Sequence, residues 1–102
     1  TLDGIHLGHS LVVPKKLTDY FVDVPEPQYS RVYQNAQRLA KAIHKATGCK
    51  RVGQAVIGLE VPHFHLHLIP MWSAADLDFS KAKRYPADEM KMMQEKIIKN
   101  LT

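Results

Sequence analysis

The sequence predicts a mixed α+β domain in which helices pack on an antiparallel sheet. Three observations carry that prediction: a long segment with helical apolar periodicity, short strand-like runs on both sides of it, and a second amphipathic stretch at the end. The long segment runs from about Glu26 to Thr47. Tyr29, Val32, Tyr33, Ala36, Leu39, Ala40 and Ile43 recur at steps of three and four, which places them on one helix face. Pro25 and Pro27 belong at its start, and Gly48 is the expected left-handed stop.

The strands follow from shorter runs. Ser10 to Val13, ended by Pro14-Lys15-Lys16, reads as a buried strand, and Tyr20 to Val22 as a short edge piece. Arg51 to Leu59 is expected to be a strand, with Gly58 marking a bulge or a close backbone approach. Phe64 to Met71 alternates with the strand period, and Asp76 to Arg84 reads as polar loop. Pro86 opens the last helix, with Asp88 and Glu89 in its positive first turn. Met90, Met93, Ile97, Ile98 and Leu101 form its apolar stripe, which is core filler rather than a cofactor box.

At 102 residues the chain holds one core and one domain, residues 1–102. Hydrophobic content of 45% and charged content of 24% suit a globular chain and argue against disorder. No apolar run can span a bilayer and no opening stretch has the pattern of a signal peptide, so no membrane partner is expected. A single cysteine, Cys49, rules out an intrachain disulfide and the usual multi-thiolate zinc site, and makes the cytoplasm the expected location. The net charge of +4 is scattered, without a basic stripe interleaved with aromatics. It suits an anionic substrate but gives no basis for specific nucleic-acid binding.

The chemistry is concentrated in residues 61–70, Val-Pro-His-Phe-His-Leu-His-Leu-Ile-Pro. On a strand, alternate side chains share a face about 6.5–7 Å apart, so His63, His65 and His67 line one surface while Phe64, Leu66 and Leu68 enter the core. A lone histidine is by default a satisfied core residue, and His6 and His44 are read that way. Three on one face, backed by a full apolar face, imply a polar cleft. One reading is a metal site. The three rings would spread over about 13 Å, so a single ion could use only two of them, completed by His6, His9 or Glu60. The other reading is nucleophilic catalysis, in which a neutral imidazole attacks phosphorus while its second nitrogen is fixed by an acceptor. Neighbouring histidines would then donate to the developing charge.

His63 to Ile69, three histidines alternating with apolar residues and followed by two more apolar residues, resembles the signature of the histidine-triad (HIT) family. Gly8 to Lys16 is similar to the Gly-His-Thr-Leu-Val-Ile-Pro-Lys-Lys segment of that family, and Leu2-Asp3 to the Leu-Asp-Ile piece before it. The resemblance implies a HIT-like antiparallel β-meander with one long helix and a C-terminal helix, and a homodimer joining two five-stranded sheets. It implies hydrolysis or transfer at the α-phosphate of a purine nucleotide, from phosphoramidates or dinucleoside polyphosphates, through a covalent nucleotidyl-histidine and without a cofactor or metal. By motif position, His65 is the nucleophile, His63 an orienting histidine, and His67 a contact to phosphate and leaving group. His9 is a supporting histidine and Asp3 falls near the ribose-binding acid.

The chain departs from that pattern in places. Family hydrolases carry Gly-Gln four residues before the first triad histidine, where this chain has Gly58-Leu59, and the next Ser or Thr is Glu60. An Asn-rich turn is replaced near Val56-Ile57, the interval from Asp3 to His9 is about two residues short, and the domain is expected to lack its N-terminal helix and first strands. The missing glutamine leaves a second reading, a nucleotide-binding interaction protein with weak catalysis. Leu59 itself is expected either beside phosphate or in the core next to Ile57.

Overall fold

The structure, a computed structural model, describes residues 3–101. Five main elements are present: β1 (Ser10–Val12), α1 (Gln28–Thr47), β2 (Arg51–Ala55), β3 (Leu66–Met71) and α2 (Ala87–Lys99). The three strands form one antiparallel sheet in the order β1-β3-β2, so the strand bearing the last triad histidine is central. His67 stands opposite Leu11 of β1 and Ala55 of β2. The mixed α+β architecture, with an antiparallel sheet, one long helix and a C-terminal helix, agrees with the sequence reading.

Each helix has a local reason to begin and end where it does. Glu26 accepts from the backbone N–H and the hydroxyl of Ser30 at 2.9 and 2.6 Å, which ties down the first turn of α1. Gly48 ends α1 at φ +68°, and its N–H donates to the His44 carbonyl at 2.9 Å. In α2, Asp88 and Glu89 lie in the positive first turn and Lys96 and Lys99 in the negative last one. The core sits between α1 and the sheet. Val32, Ala36, Ala42, Ile43 and Ala46 from the helix meet Phe64, Leu66 and Leu68, with Ile97 closing it from α2.

Several expectations are corrected. β2 stops at Ala55 rather than Leu59, and β3 begins at Leu66 rather than Phe64. The Phe64 N–H donates to the Thr18 carbonyl, so at that point the chain pairs with the loop after β1 instead of with β2. Gly58 turns at φ +77° within the resulting loop and is not a strand bulge. Residues 20–22 form no edge strand; Phe21–Asp23 is a 3-10 turn. The stretch Asp76 to Arg84 is not uniformly polar loop, because it holds a 3-10 turn, Phe79–Lys81, that presents an aromatic ring. His44 is exposed near the end of α1, and His6 is half-buried and hydrogen-bonded to Asp76, so neither is a core histidine. On the apolar face of α1, Val32 and Ala36 are buried within the chain itself.

Ile43 is fully buried, and truncating it leaves a cavity beneath β3. Ile43→Ala should cost about 2–5 kcal/mol in a urea titration, while Met92→Ala on the exposed side of α2 should stay within about 0.5 kcal/mol. Equal effects would place the core elsewhere.

Candidate functional site: a line of imidazoles on the central strand

Pairing of Leu11 with His67 puts His9, two residues before Leu11, alongside His67. Gly8 makes this possible. It adopts φ +97°, and a Cβ there would meet Thr47 Cγ2 at 2.9 Å, so only glycine lets the backbone turn so close to the end of α1. The turn that contains it is closed by the His9 N–H donating to the His6 carbonyl at 3.1 Å.

The main chain then decides the protonation pattern of the rings. The Ile5 N–H donates to His9 Nδ1 at 3.0 Å, so in neutral His9 the proton sits on Nε2. That nitrogen donates to His67 Nδ1 at 2.9 Å. His67 therefore carries its own proton on Nε2 and presents a donor. His65 is the reverse case. Its Nδ1 lies 2.6 Å from the His63 carbonyl and must donate to it, which leaves Nε2 with a free lone pair. The His65 and His67 rings meet edge-on at 4.9 Å, and the Phe79 ring packs against His67 at 4.9 Å and His9 at 6.1 Å.

Burial and neighbouring rings keep His67 and His9 neutral. Burial, then the nearness of His9 and His65, hold the His67 imidazole down to about 4. Burial, then His6, lowers His9 in the same direction. Behind them, Asp76 accepts from the Trp72 and Ser73 N–H groups at 2.7 and 2.9 Å and from His6 Nε2 at 3.1 Å. Those bonds, the two backbone donors first, hold its carboxyl down to about 2. The pair pins the turn carrying His9 to the end of β3.

The structure brings His9, His65 and His67 into ring contact, but only His67 lies in the strand. His63 and His65 precede it, so the three histidines do not share one flat strand face. His63 meets His65 through its carbonyl rather than its ring, and its own Nδ1 is buried without a partner. Asp3 is exposed, 3.6 Å from Arg84, and lines a cavity of about 540 Å³ together with His9, His67, Met90 and Ile97. Leu2 lies outside the described residues. Leu59 is 90% exposed, which removes the reading that it faces the core. Glu60, offered as a metal ligand with His6 and His9, is exposed in the same loop, and among the described residues no three acidic, histidine or cysteine groups converge on one point. Sequence reasoning missed Phe79, the Ile5 N–H and the His6–Asp76 pair. Phe79 could have been noticed as a lone aromatic in a polar run; a backbone amide leaves no trace in a sequence.

The neutral rings give a pH signature. The folded values of His67 and His9 lie below the ordinary 6.5, so between pH 6.5 and about 4 the unfolded chain binds protons that the folded chain does not. Stability is then full above pH 6.5 and falls as the pH drops through that window. Asp76 acts in the same direction only below its ordinary 3.8. Melting temperature should decline from pH 7 to 4.5, and His67→Asn should flatten that decline. An unchanged slope in the variant would mean that His67 titrates normally.

Comparison with known proteins identifies the family. A model of the HIT domain matches residues 2–73. A HIT-like protein of Methanocaldococcus jannaschii is 29% identical over 89 residues, covering 81% of this chain and 69% of that protein. The adenosine 5'-monophosphoramidase of Saccharomyces cerevisiae is 32% identical over 85 residues, and the match takes in 72% of this chain but only about half, 54%, of the yeast protein. Among solved structures, a Hit-like protein involved in cell-cycle regulation from Bartonella henselae superposes with a TM-score of 0.81 at 24% identity, covering 95% of this chain and 73% of that one. A zinc-bound histidine triad family protein from Mycobacterium smegmatis gives 0.76 at 22% identity, covering 97% and 75%. These two establish the fold alone. With the family model spanning most of its length, the chain belongs to the HIT-domain family.

Proposed function

We propose that the chain is a nucleotide hydrolase or transferase in which His65 Nε2 attacks the α-phosphorus of a purine nucleotide carrying a leaving group. The observation that carries the reading is the 2.6 Å bond from His65 Nδ1 to the His63 carbonyl, which fixes the lone pair on the other nitrogen. The nitrogen's lone pair forms the N–P bond as the bond from phosphorus to the leaving atom breaks, and that atom departs with the electron pair. A leaving amine takes up a proton from solvent; a phosphate or carboxylate needs none. Water then attacks the nucleotidyl-histidine, releasing the nucleoside monophosphate and a proton and restoring His65.

His67 serves as a neutral donor through Nε2–H, aimed at charge developing on the phosphoryl oxygens or the leaving atom. It cannot also carry a proton on Nδ1, because His9 donates there. His9 sets that tautomer and Asp3 takes the ribose hydroxyls. The cavity of about 540 Å³ beside them is of a size that holds a nucleoside. His63 contributes its carbonyl to His65. We place the active form as a homodimer in the cytoplasm. The buried free thiol of Cys49 fits a reducing compartment.

A second reading rests on Leu59, whose exposed side chain stands where family hydrolases carry a phosphate-binding glutamine. Without that donor the chain would bind nucleotide and turn it over weakly.

Two experiments test these readings. His65→Asn should cut turnover of an adenosine phosphoramidate by several orders of magnitude while adenylate affinity by calorimetry stays near wild type. His63→Ala keeps the carbonyl and should retain far more activity; equal losses in both variants, or full activity in His65→Asn, would refute the assignment. Since Leu59 is exposed, Leu59→Gln buries no amide and should leave the melting temperature unchanged. A recovered charge-assisted bond of about 1.5–3 kcal/mol should raise kcat/KM on unsubstituted adenosine phosphoramidate by about ten-fold or more. No gain would mean that phosphate is held without that position.

A further inference from the structure

Two cavities flank the paired rings of His65 and His67. The larger takes His67, His9 and Asp3; the smaller, about 280 Å³, takes His65. Its walls include Tyr20, Phe21, Ile57 and Leu59, with Asp19 as the charged residue. These apolar side chains are far from buried: Tyr20 is 56% exposed, Phe21 44%, Ile57 52% and Leu59 90%. Exposed apolar surface of this extent beside a reactive group marks a binding surface rather than incidental composition. The chain carries 14 lysines and arginines, yet among the described residues none lines this cavity.

We infer that this shelf receives an uncharged, apolar leaving group, so that the substrate is a nucleoside monophosphate joined to an apolar organic moiety rather than to a second charged nucleotide. The inference rests on the proposed role of His65. If the nucleoside and its ribose lie in the larger cavity against Asp3, the other substituent on phosphorus has the smaller one available to it. A polyphosphate placed there would bring several negative charges to a wall whose charged group is itself an anion, with no cation to offset them. An aromatic or alkyl group would instead cover Tyr20, Phe21 and Leu59 and remove their surface from water. The shelf is built where β2 ends early. Phe64 pairs with Thr18, which brings the segment of Tyr20 and Phe21 against the loop of Ile57 and Leu59.

The test matches the reacting bond and varies what hangs from it. Adenosine 5'-phosphoramidates of 2-phenylethylamine, ethanolamine and β-alanine each break a P–N bond to a primary amine, but carry an apolar, a polar and an anionic tail. A dinucleoside polyphosphate completes the set. For the full chain, kcat/KM should favour the phenylethyl compound over the β-alanyl one by about ten-fold or more, the effect of burying a few methylene-sized groups. The polyphosphate should rank last. Phe21→Ala should lower kcat/KM for the phenylethyl compound alone, and Tyr20→Lys should shift preference towards the anionic tail. Affinities of the three compounds for His65→Asn, measured by calorimetry, give the same ranking independently of turnover. Turnover without a preference for the apolar tail, or with the polyphosphate ahead, overturns the shelf and leaves the nucleophile standing. An apolar preference in binding without turnover in the wild-type chain supports the shelf and overturns the nucleophile. If light scattering shows that a second copy of the chain covers Tyr20 and Phe21, and their substitution changes assembly instead of ranking, the shelf is an interface and the inference fails.

Discussion

The hydrogen bond between the His9 and His67 rings, 2.9 Å long and spanning 58 positions of sequence, is the contact on which the site depends. It exists only because β1 pairs with β3 in one register, Leu11 opposite His67. A slip of one residue would turn His67 towards α1 and Leu66 or Leu68 outward, exchanging a polar group for an apolar one on both faces at once. The buried packing of Leu66 and Leu68 against Ile43 therefore fixes the register, and the register fixes the tautomer of His67. Core and chemistry are two faces of the same strand.

Much of this was legible in the sequence. The alternation from Phe64 to Leu68 announced one apolar and one polar face, and the three- and four-residue steps from Val32 to Ile43 announced the helix that covers the first. Gly48 and the acidic start of α2 marked the helix ends correctly. The errors share a cause. Residues 56–59 and 64–65 have strand-like composition, but a ladder also needs a partner, and Phe64 gives its N–H to Thr18 instead. Composition cannot report that choice. For the same reason Tyr20 to Val22, β-prone by type, ends in a 3-10 turn. The roles of His9, His65 and His67 came from motif resemblance. The groups that orient them, the Ile5 N–H and the His63 carbonyl, belong to the backbone and have no residue type to read.

The two cavities divide the demands on the ligand. Around His67 and His9, burial first and then the neighbouring imidazoles raise the cost of a positive charge, which keeps these two rings neutral. Two neutral rings exert no long-range pull on an anion, so that attraction falls to the net charge of +4 spread over the surface. Close to the rings, recognition then depends on directed donors and on shape. Where the donor expected at position 59 is replaced by leucine, that position offers apolar surface instead.

The early end of the sheet also explains why the His65 ring is held by a carbonyl. If residues 63–65 continued β3, the His63 carbonyl would point along the ladder to a neighbouring strand's N–H. The His65 side chain, standing perpendicular to the sheet, could not reach back to it. Breaking off the ladder before Leu66 frees that carbonyl and lets the His65 ring fold back on its own backbone at 2.6 Å. His67, one alternation later, is inside the strand and takes its partner across the sheet from His9. Two histidines two residues apart thus acquire opposite tautomers, one presenting a lone pair and the other a donor. A regular strand bearing both would repeat the same environment and give the same tautomer twice. The irregularity at residues 56–65 is therefore what differentiates the two roles, and it requires no side chain beyond the histidines themselves.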